Sequence, residues 1–185
     1  MRTDGVQLSS QAVEELREEI TNRHGKNYIP QNPRIYKSKA ANAQEAHEAI
    51  RPTTISRDPD SISKYLDTEQ LKLYDLIWKR TISSQMQSAE LDETAADISN
   101  QDQTVTFRAN GSQVIFPGFF IYRDREDDRL LPNFVENESV NLIDLKSEQH
   151  FTQPPPRYTD SSLIKKMEEL GIGRPSTYAS ILQVL

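Results

Sequence analysis

The stretch Asn42-Ala43-Gln44-Glu45-Ala46-His47-Glu48-Ala49-Ile50-Arg51-Pro52-Thr53 gathers an imidazole, carboxylates, amides and a guanidinium with little apolar bulk. A core does not call for such residues. An imidazole with a pKa near ~6.5 donates to a phosphate oxygen when neutral and pairs with it when charged, which makes His47 a candidate for holding an anion. The same composition also suits a hydrated helix surface with its charges in register. A metal site fits less well, because Glu45, His47 and Glu48 do not share one helical face in the HxxxH manner and no second histidine lies nearby.

Two further groups carry similar chemistry. Met1-Arg2-Thr3-Asp4-Gly5 places a guanidinium, a hydroxyl and a carboxylate before any regular element. Arg2 can fork onto a phosphate with Asp4 holding it, although charged chain ends are ordinary. In Gly171-Ile172-Gly173-Arg174-Pro175-Ser176-Thr177-Tyr178 a glycine-rich loop feeds straight into a helix start. Amides at such a start carry partial positive charge and receive phosphate. Arg174 adds a bidentate fork, and Tyr178 can stack on a base or pack behind the turn. The competing reading is a plain helix start in which Pro175 and Ser176 serve only the backbone. The spacing is not that of a Walker A loop, since Lys is absent and no strand precedes it.

The elements that must position these groups follow from the pattern. Ser9 and Ser10 announce a helix carrying Val13, Leu16 and Ile20, which Gly25 ends. Lys26 to Lys39, with Pro30 and Pro33, reads as extended, and Ala40 to Ile50 as a short helix or ordered loop. Asp67 or Thr68 caps the clearest helix, with Leu71, Tyr74, Leu76, Ile77, Trp78, Ile82 and Met86 on its apolar face. After Ala89 the period becomes two: strands are expected around Thr94 to Ile98, Val105 to Ala109, Val114 to Phe116 and Phe119 to Tyr122, with a hairpin turn at Asn110-Gly111. Val140 to Leu145 reads as one more strand. Pro154 to Pro156 mark a boundary, beyond which Thr159 caps a helix ended by Gly171 and Pro175 opens another.

Composition limits the classes available. The 185 residues carry 22 Lys and Arg against 28 Asp and Glu, a formal charge of −6, which excludes a generally cationic DNA-coating protein. With no cysteine there are no disulfides, thiolate metal sites or thiol nucleophiles. No apolar run approaches the ~18 residues of a spanning helix and Met1 is followed by no signal core, so the cytosol is the expected compartment, with no membrane partner.

Taken together, MRTDG at the start, SKAANAQEAHEAIRPT in the middle and PPPRYTDSSLIKKMEELGIGRPSTYASI at the end resemble the type IA DNA topoisomerases, and the bacterial topoisomerase I enzymes most closely. The resemblance runs through essentially the whole chain in the family's order and spacing. It implies an α+β chain in three parts: residues 1–88 as the remainder of a helical gate domain, 89–153 as an antiparallel β arch segment, and 154–185 as the start of a helical DNA-binding base domain. In that family a tyrosine stands immediately before the position of Met1 and attacks a DNA phosphodiester to form a 5′-phosphotyrosyl link. An acidic domain upstream holds magnesium.

The resemblance therefore implies a central piece of an ATP-independent enzyme that cleaves one strand, passes another and religates, relaxing negative supercoils. Its partners would be single-stranded and negatively supercoiled DNA and the upstream domains of the same protein, at the bacterial nucleoid. Without the nucleophile this piece is expected to be inactive alone, and it is expected to hold no Mg2+ of its own. By resemblance Arg2 stabilises phosphate charge and His47 helps place the scissile phosphate. Arg174, Ser176, Thr177 and Tyr178 grip single-stranded DNA beside the cut. Gly5 stands where the family usually has serine, and Asp160 where glutamate is common. A non-catalytic single-strand-binding module and a purely structural scaffold are the competing classes.

Overall fold

A computed structural model describes residues 1–3, 5–36, 47–123 and 127–185. Helix α1, Ser10–His24, begins as expected: the Ser9 hydroxyl oxygen accepts from the Ala12 N–H, and the helix ends at Gly25 with φ 91. Leu16 and Ile20 recur on its buried face. The chain then makes a 3-10 turn at Lys26–Tyr28 and continues extended. After the single-turn helix α2, Pro59–Ile62, the long helix α3, Thr68–Ser84, opens with a reciprocal cap. The Asp67 carboxylate accepts from the Gln70 N–H at 2.8 Å, and the Gln70 side-chain oxygen accepts from the Asp67 N–H at 3.1 Å.

The core lies between α1 and α3, formed by Leu16, Ile20, Ile55, Trp78, Ile82 and Met86, with Leu8, Tyr28, Ile29, Tyr74, Phe119 and Tyr122 packed around it. Trp78 also donates its ring N–H to Ile55 O at 2.7 Å, so its polar atom is satisfied where it is buried. The apolar stripe of α3 is narrower than its sequence suggests, because Leu76 points outward with 64% of its surface exposed. Buried Gln85, just past α3, pairs with Arg34 in the manner of a strand neighbour: its oxygen accepts from Arg34 N–H at 3.1 Å and its amide donates to Arg34 O at 3.0 Å. That contact fastens the extended segment around Arg34 onto the end of α3.

Strands β1, Glu90–Ser99, and β2, Thr106–Phe116, form a two-stranded antiparallel hairpin. Helices plus this hairpin make the chain α+β. The turn does not fall at Asn110-Gly111. Asn110 and Gly111 lie inside β2, opposite Ala95 and Thr94, so the two strands expected around them are one. Gly111 is there because the chain crosses over it: an added Cβ would lie 2.9 Å from Arg129 O and 2.9 Å from Leu131 Cγ. The connection is built at Asn100, whose side chain accepts from the Thr104 and Val105 N–H groups and donates to Thr104 Oγ1 at 2.7 Å.

Phe119 to Tyr122 is also not a strand. After Pro117 the chain forms a 3-10 helix, Gly118–Tyr122, whose spacing turns Phe119 and Tyr122 to the same side, onto the core. Tyr122 meets Trp78 edge-on at 5.2 Å and shares a 2.7 Å hydrogen bond with His24. The hairpin thus leaves the helical core after Ser88 and returns to it at Phe116. Val140 to Leu145 forms no strand either: period-two spacing needs a ladder partner, and among the described residues none pairs with it. Helices α4, Asp160–Glu169, and α5, Pro175–Val184, start where Thr159 and Pro175 foretell.

Candidate nucleic-acid interface

Residues 1–3 and 5–9 precede α1 and hydrogen-bond across to the segment from His47 to Arg51. The Arg2 N–H donates to Glu48 O at 2.9 Å and the Ala49 N–H to Gln7 O at 2.8 Å, with Gln7 and Glu48 in a parallel bridge. A main-chain ribbon of this kind fixes backbone against backbone, so the first motif and the middle motif become one surface. Arg2 is exposed there and His47 half-buried. The two strands touch most closely at Gly5, where an added Cβ would lie 2.4 Å from His47 O and 2.8 Å from Glu48 O. A side chain at position 5 is excluded unless the strands move apart. Asp4 and the stretch from Asn42 to Ala46, which belong to these motifs, lie outside the described residues.

Glu48, weighed from the sequence only as a metal ligand or a surface charge, joins the pieces. One carboxylate oxygen, Oε1, accepts from Arg51 Nε at 2.8 Å and from the Ser9 N–H at 3.0 Å. The Arg51 guanidinium and then the Ser9 amide hold its carboxyl down at about 2, so it is ionised at neutral pH. Arg51, three residues along, was a legible clue. Ser9 was not, because its contact depends on how the chain folds back.

The third motif sits in its own helix pair. None of its residues belongs to the core that seats Arg2 and His47. Gly173, at φ 75, turns the chain from α4 into α5. Arg174 N–H donates to Thr177 Oγ1 at 2.9 Å, and the Thr177 hydroxyl returns a bond to Arg174 O at 3.0 Å. The Thr177 and Tyr178 amides also donate to Arg174 O, and Pro175 has no N–H. The amide cradle expected at this helix start is therefore mostly taken up by its own cap. The exposed Arg174 guanidinium and Ser176 hydroxyl carry what the junction offers a phosphate. Tyr178 is half-buried, its ring edge 3.2 Å from where a Gly173 Cβ would be, so it packs behind the turn.

Among the described residues no group of three or more His, Cys, Asp or Glu side chains is arranged to hold a metal ion. Among the described residues no helix is long and apolar enough to cross a membrane.

The DNA topoisomerase family model matches residues 1–185, the full chain. This chain belongs to the bacterial type IA DNA topoisomerases. It is 50% identical over 192 aligned residues to DNA topoisomerase 1 of Rickettsia felis, covering 100% of this chain and 25% of that protein. Against DNA topoisomerase 1 of Xylella fastidiosa strain Temecula1 the identity is 48%, covering 100% of this chain and 24% of the relative. The solved structure of full-length topoisomerase I from Thermotoga maritima aligns over 100% of this chain and 29% of its own, at 40% identity and a TM-score of 0.86. The topoisomerase chain described here thus spans about a quarter of the length of the relatives it matches.

Proposed function

We propose that this topoisomerase segment positions the scissile phosphate in a complete ATP-independent enzyme that cleaves one DNA strand, passes another through the break and religates, relaxing negative supercoils. The observation that carries the reading is the ribbon that brings the backbone of Arg2 onto that of His47 and Glu48. A tyrosine supplied by the longer protein immediately before Met1 would stand at the head of that ribbon. Its oxygen attacks phosphorus, the bond to the 3′ oxygen breaks, and a 5′-phosphotyrosyl link and a 3′ hydroxyl result. Arg2 offers a forked cation to the developing charge, and His47 orients the phosphate. Both act by positioning and electrostatics, the usual terms in phosphoryl transfer.

The exposed Arg174 and Ser176, with Thr177 and Tyr178 shaping the turn beneath them, hold the single strand near the cut. In this reading residues 1–88 belong to the gate, 89–153 to the arch and 154–185 to the base. Magnesium is held by an acidic domain outside these residues, and the enzyme works on the nucleoid in the cytoplasm.

The test uses the complete enzyme. Arg2→Ala and His47→Ala should each slow oligonucleotide cleavage by about 100-fold, the scale for removing one preorganised donor. Arg174→Ala should lower the salt slope of single-strand binding by about 0.7. Cleavage at the wild-type rate in His47→Ala would remove the active-site role. If the Arg174 effect nevertheless persisted, a non-catalytic single-strand-binding module would be left.

A further inference from the structure

We propose that Glu48 is a positioning residue for the cleavage reaction, holding the strand that carries Arg2 against the segment that carries His47. The inference rests on the reading of the site given above. Glu48 contributes three ties. Its main-chain oxygen takes the Arg2 N–H at 2.9 Å. Its carboxylate takes the Ser9 N–H at 3.0 Å, and the same oxygen takes Arg51 Nε at 2.8 Å. Ser9 is the N-cap of α1, whose Leu16 and Ile20 lie in the core. The carboxylate therefore fastens an otherwise two-strand ribbon to a helix that cannot shift without disturbing packing.

An exposed ion pair would contribute little, but one oxygen receiving both an amide and a guanidinium sets a position as well as a charge. The depressed carboxyl agrees with a group that stays ionised throughout. Glu48 is not aimed at phosphate: its oxygen faces Ser9 and Arg51, and a carboxylate turned toward DNA would repel it. The ribbon has no slack, since Gly5 already lies against His47 O with no room for one more carbon. Loss of the carboxylate contact to Ser9 leaves the main-chain bonds in place but frees the ribbon to shift relative to α1, and a misplacement of about 1 Å costs on the order of 100-fold in such reactions.

The complete enzyme, carrying its tyrosine, tests this with Glu48→Ala, Glu48→Gln and the double variant Glu48→Ala/His47→Ala. Cleavage and religation rates are measured beside single-strand affinity and thermal unfolding. Glu48→Ala should slow cleavage by about 10- to 100-fold while affinity changes by less than about threefold, the signature of lost geometry rather than lost binding. Glu48→Gln, which retains an acceptor for Ser9, should recover a large part of the rate. The double variant should be scarcely slower than His47→Ala, because Glu48 acts through the placement that His47 reads. Multiplying losses, or a rate loss matched by equal loss of affinity and folded protein, would mean that Glu48 is only structural. If Glu48→Ala cleaves normally while Arg2→Ala and His47→Ala fail, the positioning role is wrong and the site stands. If Arg2→Ala and His47→Ala cleave normally, the site itself is wrong.

Discussion

Replacing Gly173 with alanine probes the junction between α4 and α5 at a single atom. The native φ of 75 is a left-handed conformation, which costs an L residue roughly 1–2 kcal/mol. The new carbon would also lie 3.1 Å from Ile181 Cδ1, 3.2 Å from Tyr178 Cε1 and 3.3 Å from Thr177 Oγ1. Those neighbours can give way, but Thr177 Oγ1 is the atom that receives the Arg174 amide, so yielding unseats the cap. The combined penalty is about 1–3 kcal/mol, which lowers the ratio of the native turn to its alternatives by roughly 5- to 150-fold. Titration of the complete enzyme with a fluorescent single-stranded oligonucleotide at fixed salt should show weaker binding by at least about fivefold. Gly25→Ala is the control: it suffers the same kind of strain, at φ 91 with nothing within 4 Å, at the end of α1. It should lose stability without losing affinity. Affinity of Gly173→Ala within about twofold of wild type, with α5 still formed, would refute a role for this turn in presenting Arg174.

Three other perturbations follow from the same geometry. Trp78→Phe loses the 2.7 Å bond to Ile55 O, strands a buried carbonyl and leaves part of the indole's space empty. Chemical unfolding followed by circular dichroism should register a loss of about 2–4 kcal/mol. Asn100→Ala removes the side chain that closes the hairpin and should disorder the β1–β2 turn at a cost of about 1–2 kcal/mol, whereas Asn110→Ala in mid-strand should cost less than about 0.5 kcal/mol; amide exchange along β2 separates the two. The Glu48 carboxyl is depressed from 4.5 to about 2, so its stabilisation is complete above pH 4.5 and fades as pH falls toward 2. With its side chain 27% exposed, that contribution is about 1–2 kcal/mol, and the stability gap between wild type and Glu48→Gln should be present at pH 7 and close near pH 2.

The residues themselves determined whatever is local in this protein. Ser9, Asp67 and Thr159 can satisfy helix amides wherever the helices lie, and Gly25, Gly171 and Pro175 end or begin them for reasons internal to the backbone, so α1, α3, α4 and α5 could be read directly. The motif residues stand out in the sequence too, because their side-chain chemistry has no use in a core. Tertiary structure alone decided the rest. Asn110-Gly111 has the chemistry of a turn, but Gly111 serves a chain crossing at Arg129, which local spacing does not encode. Phe119 and Tyr122 look like strand residues, and their helical spacing is imposed by the core they return to. Glu48 is one carboxylate among many until the fold brings Ser9, 39 positions away, to its oxygen. Pairing over such separations depends on which surfaces the whole chain buries together, and a sequence pattern reports only the faces that each element offers.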